Sequence, residues 1–264
     1  IKSKIDKDLE MKRVEATKAE PFFFEDINGL EVKKEIENDT IVNELNICKK
    51  TIAIIVVRSD SARLKKKAYL KINGKNIIDH LIKRTKLSKN VDNIILCTTK
   101  KKDDNKLIEI AKKNNIKFFR GASRDVLKRM INSLKSFKNV ASVVRITGDD
   151  IMVDPDYMDK SIFTHNKLNA DYTSSKNLPS GTEVEIFSYN TLKLIFKLSE
   201  DSSGSEYLTN YIKNNKEFFK IINTNVKKKH KLNYRLTIDT SKDYLLVKKI
   251  LEYMKRTNKE YNYT

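Results

Sequence analysis

The 264-residue sequence has no tryptophan, only three histidines and two cysteines, and no apolar run longer than the six residues Ile52 to Val57. Each shortage closes a class. Six apolar residues fall far short of the roughly 20 that a membrane-spanning helix needs, and the opening residues lack the charged, apolar, small-residue order of a secretory leader. Ile1 in place of Met predicts a start that has been trimmed or that lies inside a longer chain. His80, His165 and His230 stand apart, at no spacing that suits zinc, and read as structural or surface residues. Cys48 and Cys97 cannot make a disulfide framework, and Cys97 sits in an apolar run where a buried thiol is expected, so a reducing cytoplasm is the expected location. The formal charge of +19 invites a nucleic-acid reading. The 54 lysines and arginines are spread along every segment, however, with no aromatic-studded basic motif such as an RNA-binding sheet presents, so no nucleic-acid or membrane partner is expected.

What is present is organised around Ile52 to Gly74. The run Ile52 to Val57 is mostly β-branched and suits a strand buried on both faces of a parallel sheet. It stops abruptly at Arg58, Arg63, Lys65, Lys66 and Lys67, interleaved with Ser59, Asp60 and Ser61. In an open α/β sheet, ligands bind beyond the carboxyl ends of the strands, so a cationic loop there is placed to hold a polyphosphate; the bland alternative is a solvated lysine-rich loop.

Residues 1–50 differ from the rest. They are polar and charged, with an apolar patch at Pro21 to Phe24 and an Asn28-Gly29 turn, too little to bury a core of their own, and they read as an N-terminal arm. From Thr51 to the end the pattern is a single larger domain. Helical spacing at Asn76 to Lys86, Lys106 to Asn114 and Asp125 to Phe137 alternates with strands at Val91 to Thr98, Ile116 to Phe119 and Ala141 to Ile146. This alternation predicts an α/β fold with a doubly wound, mostly parallel, Rossmann-like sheet. Beyond residue 165 it loosens: Asp171 to Ser175 and Thr182 to Phe187 read as strands, Glu206 to Lys213 as a helix, and Tyr234 to Ile238 as a returning strand.

Two strand ends carry carboxylates. Asp149 and Asp150 follow the strand ending at Ile146, and Asp239 follows Ile238, ahead of Thr240 and Asp243 at capping-box spacing. A carboxylate just beyond a buried strand, on the sheet edge of the cationic loop, could hold a hard divalent ion against phosphate oxygens, or could simply cap or turn the chain. Glu183 and Glu185, after a Pro179-Ser180-Gly181 turn, alternate onto one face of their expected strand.

These motifs together resemble a family. Val57 to Lys67, Gly74-Lys75 to His80, Phe119-Arg120-Gly121 to Asp125-Val126-Leu127 with Arg129, Val144 to Asp149, Gly181 to Ser188 and Arg235 to Thr240 follow, in order, the motifs of cytidylyltransferases that activate acidic and related sugars as CMP derivatives, particularly the branch named for spore-coat polysaccharide synthesis. The resemblance runs from residue 52 to about 255. It implies a nucleotide-sugar transferase fold, CTP and a sugar as substrates, Mg²⁺ as cofactor, a homodimer, and a sugar-side or dimer subregion over 155–215. It further implies Arg58, Arg63, Lys67 and Asp149 as the catalytic groups; Arg58, Ser61, Arg63, Lys67, Arg120, Asp125 and Arg145 on the nucleotide; Glu183 and Glu185 on the sugar; and Asp149 and Asp239 on the metal. Two departures stand out: Lys65-Lys66 replaces Pro-Gly, and Asp60 is a carboxylate near phosphate, unfavourable unless it meets a cation. Separately, residues 21–47 resemble the end of the antifreeze-like domain of sialic acid synthases. The alternatives to CMP transfer are a glycosyltransferase of the same fold, reading Asp149-Asp150 as its carboxylate pair, and a catalytically degenerate scaffold.

Overall fold

The apolar run of the sequence becomes the central strand. The computed structural model describes residues 49–60, 63–64, 66–199 and 207–257; the arm with its antifreeze-like resemblance, Ser61 and Glu206 lie outside them. Strand β1 (Lys50–Val56) pairs in parallel with β4 (Asn93–Thr99) on one side and β6 (Val140–Thr147) on the other. Beyond β4 lies β5 (Lys117–Gly121), also parallel. On the far side of β6 come β8 (Glu185–Ser188), β7 (Tyr172–Ser174) and β9 (Ile221–Asn223), so the seven-stranded order is β5-β4-β1-β6-β8-β7-β9. Only β8 runs antiparallel to its neighbours. The expected doubly wound, mostly parallel sheet is what forms.

Its side chains divide by the period of a strand. Ala53, Ile55 and Val57 face one core, with Ile78 and Leu81 of α1 (Ile77–Thr85), Leu107 and Ile110 of α2 (Asn105–Lys113), Ile162 of α4 (Pro155–Lys167) and Val247 of α7 (Ser241–Arg256). Ile52 and Ile54 face the other, with Leu127 and Met130 of α3 (Val126–Leu134), Leu192 of α5 (Tyr189–Leu198) and Ile212 of α6 (Tyr207–Asn214). Every β1 residue from Ile52 to Ile55 is fully buried. That explains why the run shows no polar alternation: both faces are covered.

Helix starts follow the sequence closely. Asp125 and Asp154 cap α3 and α4 by accepting from the Lys128 and Tyr157 amides, Pro155 takes the first position of α4, and Thr240 with Asp243 forms the expected capping box of α7.

Two local expectations are corrected, and one local element is added. Residues 234–238 do not pair as a strand: Arg235 makes an isolated bridge with Ser180, the Leu236 amide donates to Ser180 O at 2.6 Å, and the Ile238 amide donates to Asp149 O at 3.0 Å. Burial rises steadily along it, from exposed Tyr234 to buried Thr237 and Ile238, and its backbone partners are loops and not a ladder. The strand expected at Thr182 starts only at Glu185, so the two glutamates share no strand face. Between β1 and α1 the chain also makes a small hairpin, β2 (Lys71–Ile72) and β3 (Lys75–Asn76), turning at Asn73 (φ 51°) and Gly74 (φ 78°). No helix among the described residues is long and apolar enough to cross a membrane.

Candidate active site

The site forms where β1, β6 and the 237–239 segment end together. After β1 the chain is held in place by Asp104, which accepts from the Ser59 amide at 2.8 Å and from the amide and hydroxyl of Thr99. Burial alone would raise the Asp104 pKa, but these hydrogen bonds from Ser59 and Thr99 outweigh it and hold the carboxyl below its ordinary range. Asp104 thus ties the loop after β1 to the loop after β4.

Gly148 brings the other loop in. Its amide donates to Val56 O at 2.9 Å, and a Cβ there would lie 2.6 Å from Val57 Cγ2. The close approach of these two strand ends requires glycine, and it sets Asp149 against the basic loop.

Lys67 is the hub. A 3-10 turn over Lys67–Tyr69, entered through Lys66 in the left-handed region (φ 54°), buries Ala68 and turns Lys67 inward. Its Nζ donates to Asp149 Oδ2 at 2.7 Å, to Ile238 O at 3.0 Å and to Asp239 Oδ1 at 3.2 Å. Asp239 is held further by Arg63 (2.8 Å) and Arg235 (2.5 Å). Burial would raise the Asp239 pKa; the hydrogen bond and charge of Lys67, with Arg235 and Arg63, lower it below the ordinary value.

Asp150 behaves oppositely to its neighbour in the chain. Its carboxyl accepts from the Thr147 hydroxyl, and desolvation, then the charge of Asp149, pushes its pKa well above the ordinary carboxylate range. Glu183 lies within electrostatic reach of Asp150, accepts from the Gly181 amide at 2.9 Å, and is also raised by burial. Both carboxyls on this side of the site are thus raised by burial above their ordinary values.

Arg58 and Asp60 pair at 3.3 Å, and Lys101 closes on Asp60 from the other side. The misplaced carboxylate of the sequence has met two cations. Arg58 and Arg63 are both largely exposed at the mouth of the site.

Other predicted residues lie outside this cluster. Arg120 donates to the carbonyls of Thr99, Lys100 and Lys101 and braces that loop. Asp125 caps α3. Arg145, in β6, faces Glu185 across the β6–β8 pair and donates to it at 2.6 Å and to Thr209 Oγ1 at 2.9 Å; Tyr172 donates to the same glutamate at 2.7 Å. Glu185 therefore belongs to a polar network inside the sheet. Arg235, Lys101 and Asp104 were missed by sequence reasoning. Arg235 sits four residues before Asp239 in a quoted motif, a usable signal; Lys101 is one of a run of lysines and offered none.

The donors at the hub are all oxygens, suited to a hard cation. Among the described residues no group of three or more His, Cys, Asp or Glu side chains gathers at metal-holding geometry. Residues 52–263 match the family model described as Cytidylyltransferase. The chain belongs to the cytidylyltransferase family. It is therefore a nucleotidyltransferase, of the class that transfers CMP from CTP. The enzyme is 37% identical over 198 residues to an uncharacterized protein, MJ1063, of Methanocaldococcus jannaschii, covering 75% of this chain and 81% of that one. It is 30% identical over 205 residues to the spore coat polysaccharide biosynthesis protein SpsF of Bacillus subtilis, covering 75% and 85%. Among solved structures it resembles a cytidylyltransferase from Leptospira borgpetersenii with a TM-score of 0.68 and 28% identity, covering 82% of this chain and 98% of the other.

Proposed function

We propose that this enzyme transfers CMP from CTP to a hydroxyl of an acidic, sialic-acid-like sugar, releasing pyrophosphate, with Mg²⁺ as its cofactor, in a cytoplasmic homodimer. The observation that carries the reading is the convergence of Asp149 Oδ2, Asp239 Oδ1 and Ile238 O on one cationic nitrogen, beside Arg58 and Arg63 at the carboxyl ends of the strands. The name of the Bacillus relative supports a polysaccharide precursor as the acceptor.

The donor set fits Mg²⁺, which is commonly held by one or two carboxylates with the remaining ligands drawn from substrate phosphates and water. Asp149 and Asp239 would hold it. When bound there, the ion neutralises phosphate charge and lowers the pKa of the attacking hydroxyl. Arg58 and Arg63, with their guanidinium groups exposed at the mouth, clamp the triphosphate and keep the leaving pyrophosphate in line. The sugar oxygen bonds to the α-phosphorus as the bond to the bridging oxygen breaks, pyrophosphate departs with that oxygen, and the hydroxyl proton is released to solvent. Glu183, which accepts from the Gly181 amide, would meet hydroxyl or amine groups of the sugar.

Pyrophosphate release tests this directly, with CTP, UTP, ATP and GTP offered against a panel of acidic sugars. Release is expected only with CTP, an acidic sugar and Mg²⁺, and Asp149→Asn is expected to lower it by about 10³-fold, the scale on which removing one transition-state contact acts. Undiminished release in that variant refutes the role of Asp149. Release with neutral sugars alone refutes the acceptor.

A further inference from the structure

The chain already carries a cation at the point where its carboxylates converge. We propose that Lys67 is a resident counter-ion that trades places with the divalent metal, so that metal and CTP enter the site together and neither binds well alone. This rests on the metal-dependent reading above and adds an order of events to it.

An ammonium has three N–H donors, and those of Lys67 are all committed, to Asp149 at 2.7 Å, Ile238 O at 3.0 Å and Asp239 at 3.2 Å. None is left for a phosphate. Asp239 Oδ1 already accepts from both Lys67 and Arg63, and its other oxygen from Arg235. A metal ligated by both carboxylates therefore needs a lone pair that the ammonium now occupies, and would set its charge against that ammonium. One cation must leave.

Lys67 cannot leave unreplaced. Among the described residues it is the only ion-pair partner of Asp149, whose neighbour Asp150 is a second carboxyl. Asp239 keeps Arg63 and Arg235, but Asp149 would be left with nothing. Nor does the backbone need to move. The turn is anchored by the Lys67 amide on Leu64 O and the Tyr69 amide on Lys66 O, with Ala68 buried beneath it. The exchange is a swing of a flexible four-carbon stem.

Charge makes the exchange conditional on nucleotide. Asp149, Asp239 and Asp243 are matched by Lys67, Arg63 and Arg235. A divalent ion in place of the ammonium overcharges the cluster and takes both carboxylate acceptors from the ammonium, leaving it the Ile238 carbonyl. A triphosphate cures both defects, because its oxygens receive the freed ammonium and its charge offsets the surplus. The two ligands therefore raise each other's affinity, and by the same factor.

The test is Mn²⁺ binding, read from the free-ion signal in electron paramagnetic resonance, with and without the α,β-methylene analogue of CTP. Without nucleotide, Lys67→Met and Lys67→Gln are expected to bind Mn²⁺ at least about tenfold more tightly than wild type, within the usual range of coupling between sites. The analogue should tighten Mn²⁺ on wild type, after correction for its own Mn²⁺ complex, by a clearly larger factor than on the variants, where only ligation by its phosphates remains. Arg235→Met removes a charge that touches Asp239 but not Asp149, and is expected to shift affinity only slightly. If Lys67→Met binds no more tightly than wild type, or Arg235→Met matches it, the exchange is wrong. If neither lysine variant folds, wild-type Mn²⁺ affinity that ignores the analogue is equally fatal. Should wild type bind Mn²⁺ tightly alone while still releasing pyrophosphate from CTP, the exchange falls and the function stands; should no form bind Mn²⁺ even with the analogue, both fall.

Discussion

Replacing Gly181 by alanine should damage both stability and catalysis, and the structure says how much of each. Gly181 has φ 91°, and a Cβ there would fall onto the Thr237 amide nitrogen, 2.6 Å from Leu236 C and 2.8 Å from Thr237 Cα. All three are backbone atoms, so no side chain can rotate away. Left-handed strain costs about 1–2 kcal/mol, and forcing an extra carbon into a packed site adds about 1–3 kcal/mol. A loss near 3 kcal/mol corresponds to a midpoint lowered by roughly 6–12 °C in a domain of this size. The displaced segment carries Asp239 two residues on, and a 1 Å misplacement of a catalytic group can cost about 10²-fold in rate. Gly74→Ala is the internal control. It has φ 78° with nothing within 4 Å of the new carbon, so it should show the backbone strain alone and keep full activity. Thermal unfolding and pyrophosphate release on the two variants decide the matter. Equal melting shifts, or full activity in Gly181→Ala, would show that the 236–239 segment is not held against this turn.

Acid should destabilise the fold through His165, whose pKa burial lowers to about 4 despite the nearby charge of Asp171. Below its unfolded pKa of about 6.5 the unfolded chain takes up a proton that the folded chain refuses, so stability is complete above that pH and falls by about 3 kcal/mol as pH drops toward 4. Urea titrations should show this slope, flattened in His165→Gln. Lys66→Gly should raise stability by about 0.5–1 kcal/mol, the left-handed strain relieved less the added freedom of the unfolded chain; a lowered melting midpoint contradicts it. Cys97, fully buried and with its pKa pushed up to about 11 by burial, should be alkylated in the native enzyme at least about 100-fold more slowly than in urea, as mass spectrometry of its peptide can measure.

The parallel half of the sheet was legible because strands covered on both faces must be apolar throughout, and Ile52 to Val57 or Ile94 to Cys97 can be little else. Part of the hub was legible for a different reason: Asp149 follows β6 and Lys67 closes the loop after β1, and topology alone brings those strand ends to one edge, whereas Asp239 follows a segment with only the sequence pattern of a strand. Beyond β6 the signal weakens. The three-residue strands β7 and β9 are too short to show a period, and residues 234–238 alternate like a strand although their partners are the loop at Ser180 and the Asp149 carbonyl. Pairings across the chain left no local trace either. Asp104 reads as an ordinary cap before α2, and nothing near it announces Ser59, 45 residues earlier. Arg145 and Glu185, expected on the nucleotide and on the sugar, pair with each other inside the sheet, a contact 40 residues apart that the sequence does not announce.

The contacts of Lys67 span 82 residues to Asp149 and 172 to Asp239, and Arg63 reaches Asp239 across 176. Loops of that length are slow to close, although each doubling adds only about 0.6 kcal/mol of entropy. The hub therefore assembles late, after the local strand–helix units have formed, and it needs Ile238 and Asp239. A polypeptide still emerging from the ribosome, with residue 239 not yet made, has the basic loop and Asp149 but no second carboxylate to meet them. Until residue 239 has been made, Lys67 and Arg63 lack the carboxylate that gathers them, and the basic loop is without the contacts that fix it.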